Sequence, residues 1–205
     1  MTVAEDFLRS ANRQFLYYKT LGEKAMKQLE PEQLFISVNE DTNSISTIIK
    51  HLHGNMLSRW TDFLTTDGEK EWRNRDGEFS DDTATPRQQS GTALGVTERK
   101  AEALKNWNEG WDCLFKTLND LQPEQLSQTI YIRNEGHSVL EAINRQLAHY
   151  PYHIGQIVFY AKMLKKTEWE SLSIPKNKSK DYNADKFSKD KAKKHFTDDE
   201  LDKLK

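Results

Sequence analysis

Leu29-Glu30-Pro31-Glu32-Gln33-Leu34 returns later in the chain as Leu121-Gln122-Pro123-Glu124-Gln125-Leu126. Working outward from the two copies, each closes a long stretch of helical period. Before the first, Leu8, Ala11, Phe15, Tyr18, Gly22, Ala25 and Leu29 alternate steps of three and four. Before the second, Leu104, Trp107, Trp111, Leu114, Leu118 and Leu121 do the same. Apolar residues at that spacing form one seam along a helix packed in a bundle. After each copy comes a short β-prone run, Phe35-Ile36-Ser37-Val38 or Thr129-Ile130-Tyr131-Ile132, and then a serine-capped helix. The pattern predicts helices over 3–29, 44–64, 92–121 and 138–164. Two copies of helix, proline turn, extended run and helix make a pseudo-twofold, all-α four-helix bundle. Gly22 lies in the first seam, where it permits close approach of a neighbouring helix, at about 1 kcal/mol of helix propensity.

The halves are joined by 65–91, a segment of turn chemistry (Thr-Thr-Asp-Gly, Arg-Asp-Gly, Asp-Asp-Thr-Ala-Thr-Pro). So long a connection is a crossover, not a hairpin. Its Trp72, Arg73 and Arg75 suit packing against the bundle. Long ordered loops are often functional. From 176 the composition shifts to ten lysines against seven acids, so 176–205 carries +3 and 1–175 carries −5. The reading is a bundle domain over 1–175 and a charged, loosely held tail over 176–205.

The 205 residues are 36% hydrophobic and 30% charged, with net charge −2. No apolar run approaches the roughly 18 residues of a membrane span, and the N-terminal residues resemble no secretory leader. One cysteine, Cys113, forms no internal disulfide. These features predict a cytoplasmic protein without membrane or nucleic-acid partners.

His149 and His153 are four apart on the last helix, so their rings share one face. Leu147, Ile154 and Ile157 bracket them on the helical wheel, which puts both near the buried face. Burying two imidazoles without partners costs several kcal/mol, and one metal ion satisfies both. Pro151, between them, frees the carbonyl of Leu147 and predicts a bend. A third ligand has two candidates, His51 and His53. His53 lies roughly 65° from the centre of the apolar stripe and His51 roughly 130°, so periodicity alone prefers His53. Cys113, off the seam, reads as a buried inert thiol, His137 as turn chemistry, and His195 as part of the tail.

His51-Leu52 with Gly54-Asn55-Met56, Ser58-Arg59-Trp60 and Thr66-Asp67-Gly68-Glu69-Lys70 resembles a branch of the DinB-like superfamily. So do Asn144-Arg145-Gln146-Leu147-Ala148-His149-Tyr150, His153-Ile154-Gly155-Gln156-Ile157 and Leu172-Ser173-Ile174-Pro175. The likeness runs over about 5–180. It implies a four-helix bundle with a long crossover, a three-histidine divalent-metal site and frequent homodimers, in a superfamily that includes thiol-dependent transferases and isomerases. Its first ligand, a His followed by Leu or Ile, maps onto His51, and the others onto His149 and His153. Family and wheel therefore disagree on the second helix. Where this chain has Pro151, a small residue is expected.

Three neutral imidazoles leave at least one coordination position open, the layout of a catalytic zinc site. Zinc or nickel is the expected ion, and manganese or iron is compatible. The resemblance implies a metal-dependent transferase of a low-molecular-weight thiol to a small electrophile. The alternative is a non-catalytic dimeric bundle. Trp60, Trp72, Trp107 and Trp111 exceed what one small bundle readily buries, which predicts a homodimer.

Overall fold

The computed structural model describes residues 1–79 and 95–203. Four long helices, α1 (Val3–Lys27), α2 (Ile45–Trp60), α4 (Val96–Asp120) and α5 (Val139–Lys165), form the bundle. A four-residue helix, α3 (Arg75–Glu78), lies in the crossover. The crossover residues 80–91 and the expected first turn of the third helix at 92–94 lie outside the described residues.

Side chains set the helix starts. Thr2 and Glu5 form a reciprocal capping box on α1, with the Glu5 amide 3.2 Å from Thr2 Oγ1 and the Thr2 amide 2.6 Å from the Glu5 carboxylate. Ser44 caps α2 through the Thr47 amide, and Ser138 caps α5 through the Glu141 amide, each at 3.1 Å. The pseudo-twofold pattern shows in the packing. α1 lies on α5 and α2 on α4, and each proline turn, Pro31–Phe35 or Pro123–Ser127, packs on the first helix of the other half. Exchanging the halves exchanges these contacts.

Each long helix sends one aromatic ring to the centre. Phe15 of α1 meets Trp60 of α2 at 6.3 Å, Trp111 of α4 at 6.4 Å and Tyr150 of α5 at 5.8 Å between centroids. The Trp60 indole N–H donates to the Tyr150 hydroxyl at 2.9 Å, and that hydroxyl donates to Asn55 Oδ1 at 3.0 Å. Such aromatic pairs contribute about 0.5–1.5 kcal/mol beyond the area they bury. Gly22 has the role its place in the seam suggests, since a Cβ there would lie 2.7 Å from the Trp107 ring of α4. Trp60, Trp107 and Trp111 are core residues, and only Trp72, 59% exposed, is left at the surface among the four.

The structure departs from the expected boundaries in two places. α2 ends at Trp60, not at 64, because the chain turns through Asp62 in the left-handed region (φ 48°). The two β-prone runs also differ. Phe35–Val38 contains no strand, whereas β1 (Thr129–Ile132) pairs antiparallel with β2 (Glu135–Ser138). The second copy has a partner strand across a tight two-residue turn at Arg133-Asn134 with both φ positive. Asp67 holds that turn by accepting both backbone amides at 2.8 Å. The first copy runs instead into the Asn39–Thr42 turn.

The tail contains α6 (Ser179–Phe187) and α7 (Asp198–Lys203), and α7 lies on α1. Arg13 pairs with Asp198, His195 Nε2 is 2.9 Å from Ser10 Oγ, and Thr197 is fully buried. No helix among the described residues is long and apolar enough to cross a membrane.

Candidate metal centre

α5 sets the site because its core face is pinned on both sides of the first histidine. Gln146 and Tyr150 are buried, and His149 lies between them facing α2. His153 follows one turn later. α5 runs as one helix through Pro151. His51 comes from the middle of α2 and is 6% exposed. Its Nε2 is 3.3 Å from His149 Nε2, and His153 Nε2 is 3.1 Å from the same atom. All three ligand nitrogens lie within 4.8 Å of one another. His53 faces α4 instead, with Nε2 3.3 Å from Glu109. His137 is near Glu141 and His195 near Ser10. Of the six histidines, then, the structure brings together His51, His149 and His153.

The Nδ1 atoms explain why the three Nε2 atoms face inward. His51 Nδ1 is 3.0 Å from Glu78 Oε2, His149 Nδ1 is 3.3 Å from Gln146 Oε1, and His153 Nδ1 is 2.7 Å from Gln156 Oε1. Burial raises the Glu78 pKa, but hydrogen bonds from Arg73 and His51 outweigh it and hold the group below the usual carboxylate range. Glu78 is thus a carboxylate that only accepts, and His51 Nδ1–H donates. The two glutamine oxygens impose the same tautomer on their histidines. Each neutral ring then turns a bare Nε2 lone pair toward the others. No hydrogen bond joins two lone pairs, and a cation between them would satisfy all three. Two ligands 2.0–2.1 Å from one tetrahedral ion stand about 3.3 Å apart, which matches the two spacings to His149. The donor set fits a divalent metal ion.

Electrostatics favour the neutral form of the two α5 rings. Burial, with His153 and His51 nearby, pushes His149 from 6.5 down to about 3. Burial likewise lowers His153. The consequence for stability has a definite sign. The unfolded chain takes up protons at these positions below pH 6.5 and the folded chain does not, so stability rises with pH through that range. Metal-stripped protein is expected to lose denaturant resistance steadily as pH falls from 6.5 to 5. Chemical denaturation at both values measures this, and the double variant His149→Gln, His153→Gln should show a flatter slope.

The support behind His51 was not legible in the sequence. Arg73, whose side chain is nearly inaccessible, donates from Nε to Glu78 Oε1 at 2.7 Å and from Nη2 to Oε2 at 2.9 Å. Phe79 lays its ring against His51 at 4.9 Å. Glu69 collects Arg59 at 3.1 Å, Arg73 at 3.3 Å and Arg133 at 3.0 Å, tying crossover, α2 and hairpin together. Arg59 also donates to the Gly68 carbonyl. Arg73 in the crossover was the available signal. Gln146 and Gln156 had one too, three residues before His149 and three after His153 on the same helix.

Cys113 is half-buried on α4, 3.7 Å from the Thr61 hydroxyl. Burial pushes its thiol above the ordinary value, which keeps it protonated and unreactive.

Residues 2–178 match the model of a family described as a protein of unknown function (DUF1572). Comparison with curated proteins gives no match, and neither does comparison with solved structures.

Proposed function

Because the chain belongs to the DUF1572 family, within which its site must be read on its own chemistry, we propose that it is a divalent-metal-dependent enzyme of the DinB-like class. His51, His149 and His153 hold the ion, and the activity is transfer of a small thiol to a small electrophile. The observation that carries the metal reading is the set of three Nε2 lone pairs turned toward one point, each fixed by an acceptor behind its Nδ1. A divalent ion on three neutral imidazoles lowers the pKa of a thiol or water at its open position.

The lining of the pocket above the histidines supports a thiol over water. Among the described residues it contains no carboxylate and no histidine beyond the three. A hydrolase usually employs a general base beside the water it activates. A thiol ionises near 8.5 and needs no such base. The protein then holds and orients. Glu78 and Arg73 fix His51, Gln146 and Gln156 fix the α5 rings, and Phe79 and Tyr152 flank the opening. The thiol sulfur bonds the electrophilic carbon, the leaving group departs with its electron pair, and the thiol proton passes to solvent.

The test uses protein stripped of metal and reloaded in turn with zinc, nickel, manganese and iron. Each form is assayed with cysteine-type thiols and a chloronitroarene. Turnover that appears on reloading and vanishes in His149→Ala is the expected result. Equal rates for stripped and reloaded protein with every ion would refute the reading.

A further inference from the structure

The walls of the same pocket carry an unusual charge. Arg59, Arg73, Arg75, Arg133 and Arg145 all line it, and among the described residues no lysine does. These are five of the nine arginines in a chain whose lysines number 21. Chance placement of cations would favour lysine. Arginine differs in its planar fork of donors, which matches carboxylate and phosphate bidentately. The contrast with the rest of the molecule is sharp, since residues 1–175 carry −5. Two carboxylates, Glu69 and Glu78, answer Arg59, Arg73 and Arg133. Arg75 and Arg145 make no ion pair among the described residues. The Arg75 guanidinium lies 5.3 Å from the Phe79 ring centroid, and Phe79 in turn lies against His51. Arg145 precedes His149 by one helical turn.

The neutral polar groups point the same way. The Asn55 side-chain oxygen is taken by the Tyr150 hydroxyl and the Gln146 oxygen by His149, so their amide N–H groups are what remains for the cavity. Asn55 is 5% exposed and lines the pocket. Apart from the three histidine nitrogens, the described walls are thus rich in donors and poor in acceptors. The complementary ligand group accepts only, which describes an oxyanion.

We propose that the ligand of this pocket carries an acidic group, a carboxylate or a phosphate, gripped by Arg145 and Arg75 beside the three-histidine site. The proposal rests on the reading of this pocket as the substrate site, but not on the metal. Arg59 and Arg73 are fixed by their carboxylates and shape the floor, while Arg75 and Arg145 are free to close on the oxyanion.

The experiment titrates full-length protein, both metal-stripped and zinc-loaded, with succinate, inorganic phosphate and the neutral succinamide, by calorimetry at low salt. The expected result is saturable binding of an anion, one per chain, with no binding of succinamide. The tighter of succinate and phosphate identifies the group as carboxylate or phosphate. Arg145→Gln and Arg75→Gln should each weaken anion binding by about tenfold or more, the loss of a charge-assisted hydrogen bond, and should retain wild-type zinc affinity. Equal binding of succinate and succinamide, or wild-type anion affinity in both variants, overturns the proposal. Arginine-dependent anion binding in a protein that fails to bind zinc would uphold it while rejecting the metal reading.

Discussion

Replacing His149 by alanine is expected to weaken divalent-ion binding by well over the roughly 10–100-fold that loss of an outer-shell partner costs. His149 is the central nitrogen of the three, with Nε2 3.3 Å from His51 and 3.1 Å from His153. Without it the remaining pair is left far from a closed donor set. Calorimetry on stripped protein reads the affinity directly. The metal reading makes a second and less obvious demand. In the stripped protein three lone pairs face one another, which is unfavourable, so removing one should leave the unfolding temperature nearly unchanged or raise it. What the variant loses is the stabilisation that added metal confers on the wild type, since a ligand that binds only the folded state stabilises by RT ln(1 + [L]/Kd). A structural histidine predicts the reverse, a stripped protein clearly weakened by the substitution and no difference in response to metal. Unchanged metal affinity in His149→Ala would sink the assignment.

The long seams carried the bundle because their signal is spread over many residues, and no single exception erases it. The proline-turn repeat added the symmetry, visible in the pairing of α1 with α5 and α2 with α4. The α5 pair was legible for a simpler reason, that four residues span about one turn. On α2 the wheel favoured His53, and the structure shows why it misled. Twelve of the sixteen α2 residues are buried, including Ser46, Thr47, Asn55, Ser58 and Arg59. A helix enclosed on nearly every side has no polar face to define its outside. Its apolar stripe marks the contact with α4, where His53 goes, and the site opens on another side, toward α5 and α3. Only the His-Leu resemblance pointed to His51. Three of the four tryptophans counted toward an interface are core residues, because rings from the four helices nest at a single level of the bundle. Glu78 could not be found at all by periodicity. It belongs to a four-residue helix in a crossover, and what places it is a contact with α2.

That contact supplies the second large effect. Gly54 stands three residues after His51 on the same face of α2, and a Cβ built there would lie 2.1 Å from Glu78 Oε1 and 2.8 Å from its carboxyl carbon. Both distances are far inside any tolerable approach, so Gly54→Ala must move the carboxylate. The carboxylate is not free to swing aside. Arg73 grips both its oxygens, His51 holds one, and the residue is 9% exposed. Displacement therefore costs hydrogen bonds within a buried charged cluster, where breaking a pair outright costs about 3–5 kcal/mol. Alanine returns about 1 kcal/mol of helix propensity. A net loss of about 1–3 kcal/mol is expected, read as a lower denaturation midpoint in stripped protein. The functional effect follows from His51. Without an acceptor behind Nδ1 the ring loses both its orientation and its tautomer, and metal affinity should fall by about 10–100-fold. Glu78→Met separates the two consequences, because it keeps nearly the same volume against Gly54 while removing the acceptor behind His51 Nδ1 that fixes the tautomer. It should share the loss of affinity without the steric clash. If Gly54→Ala binds metal as tightly as the wild type, Glu78 does not position His51, and the buried Arg73–Glu78 pair serves only to fasten the crossover to α2.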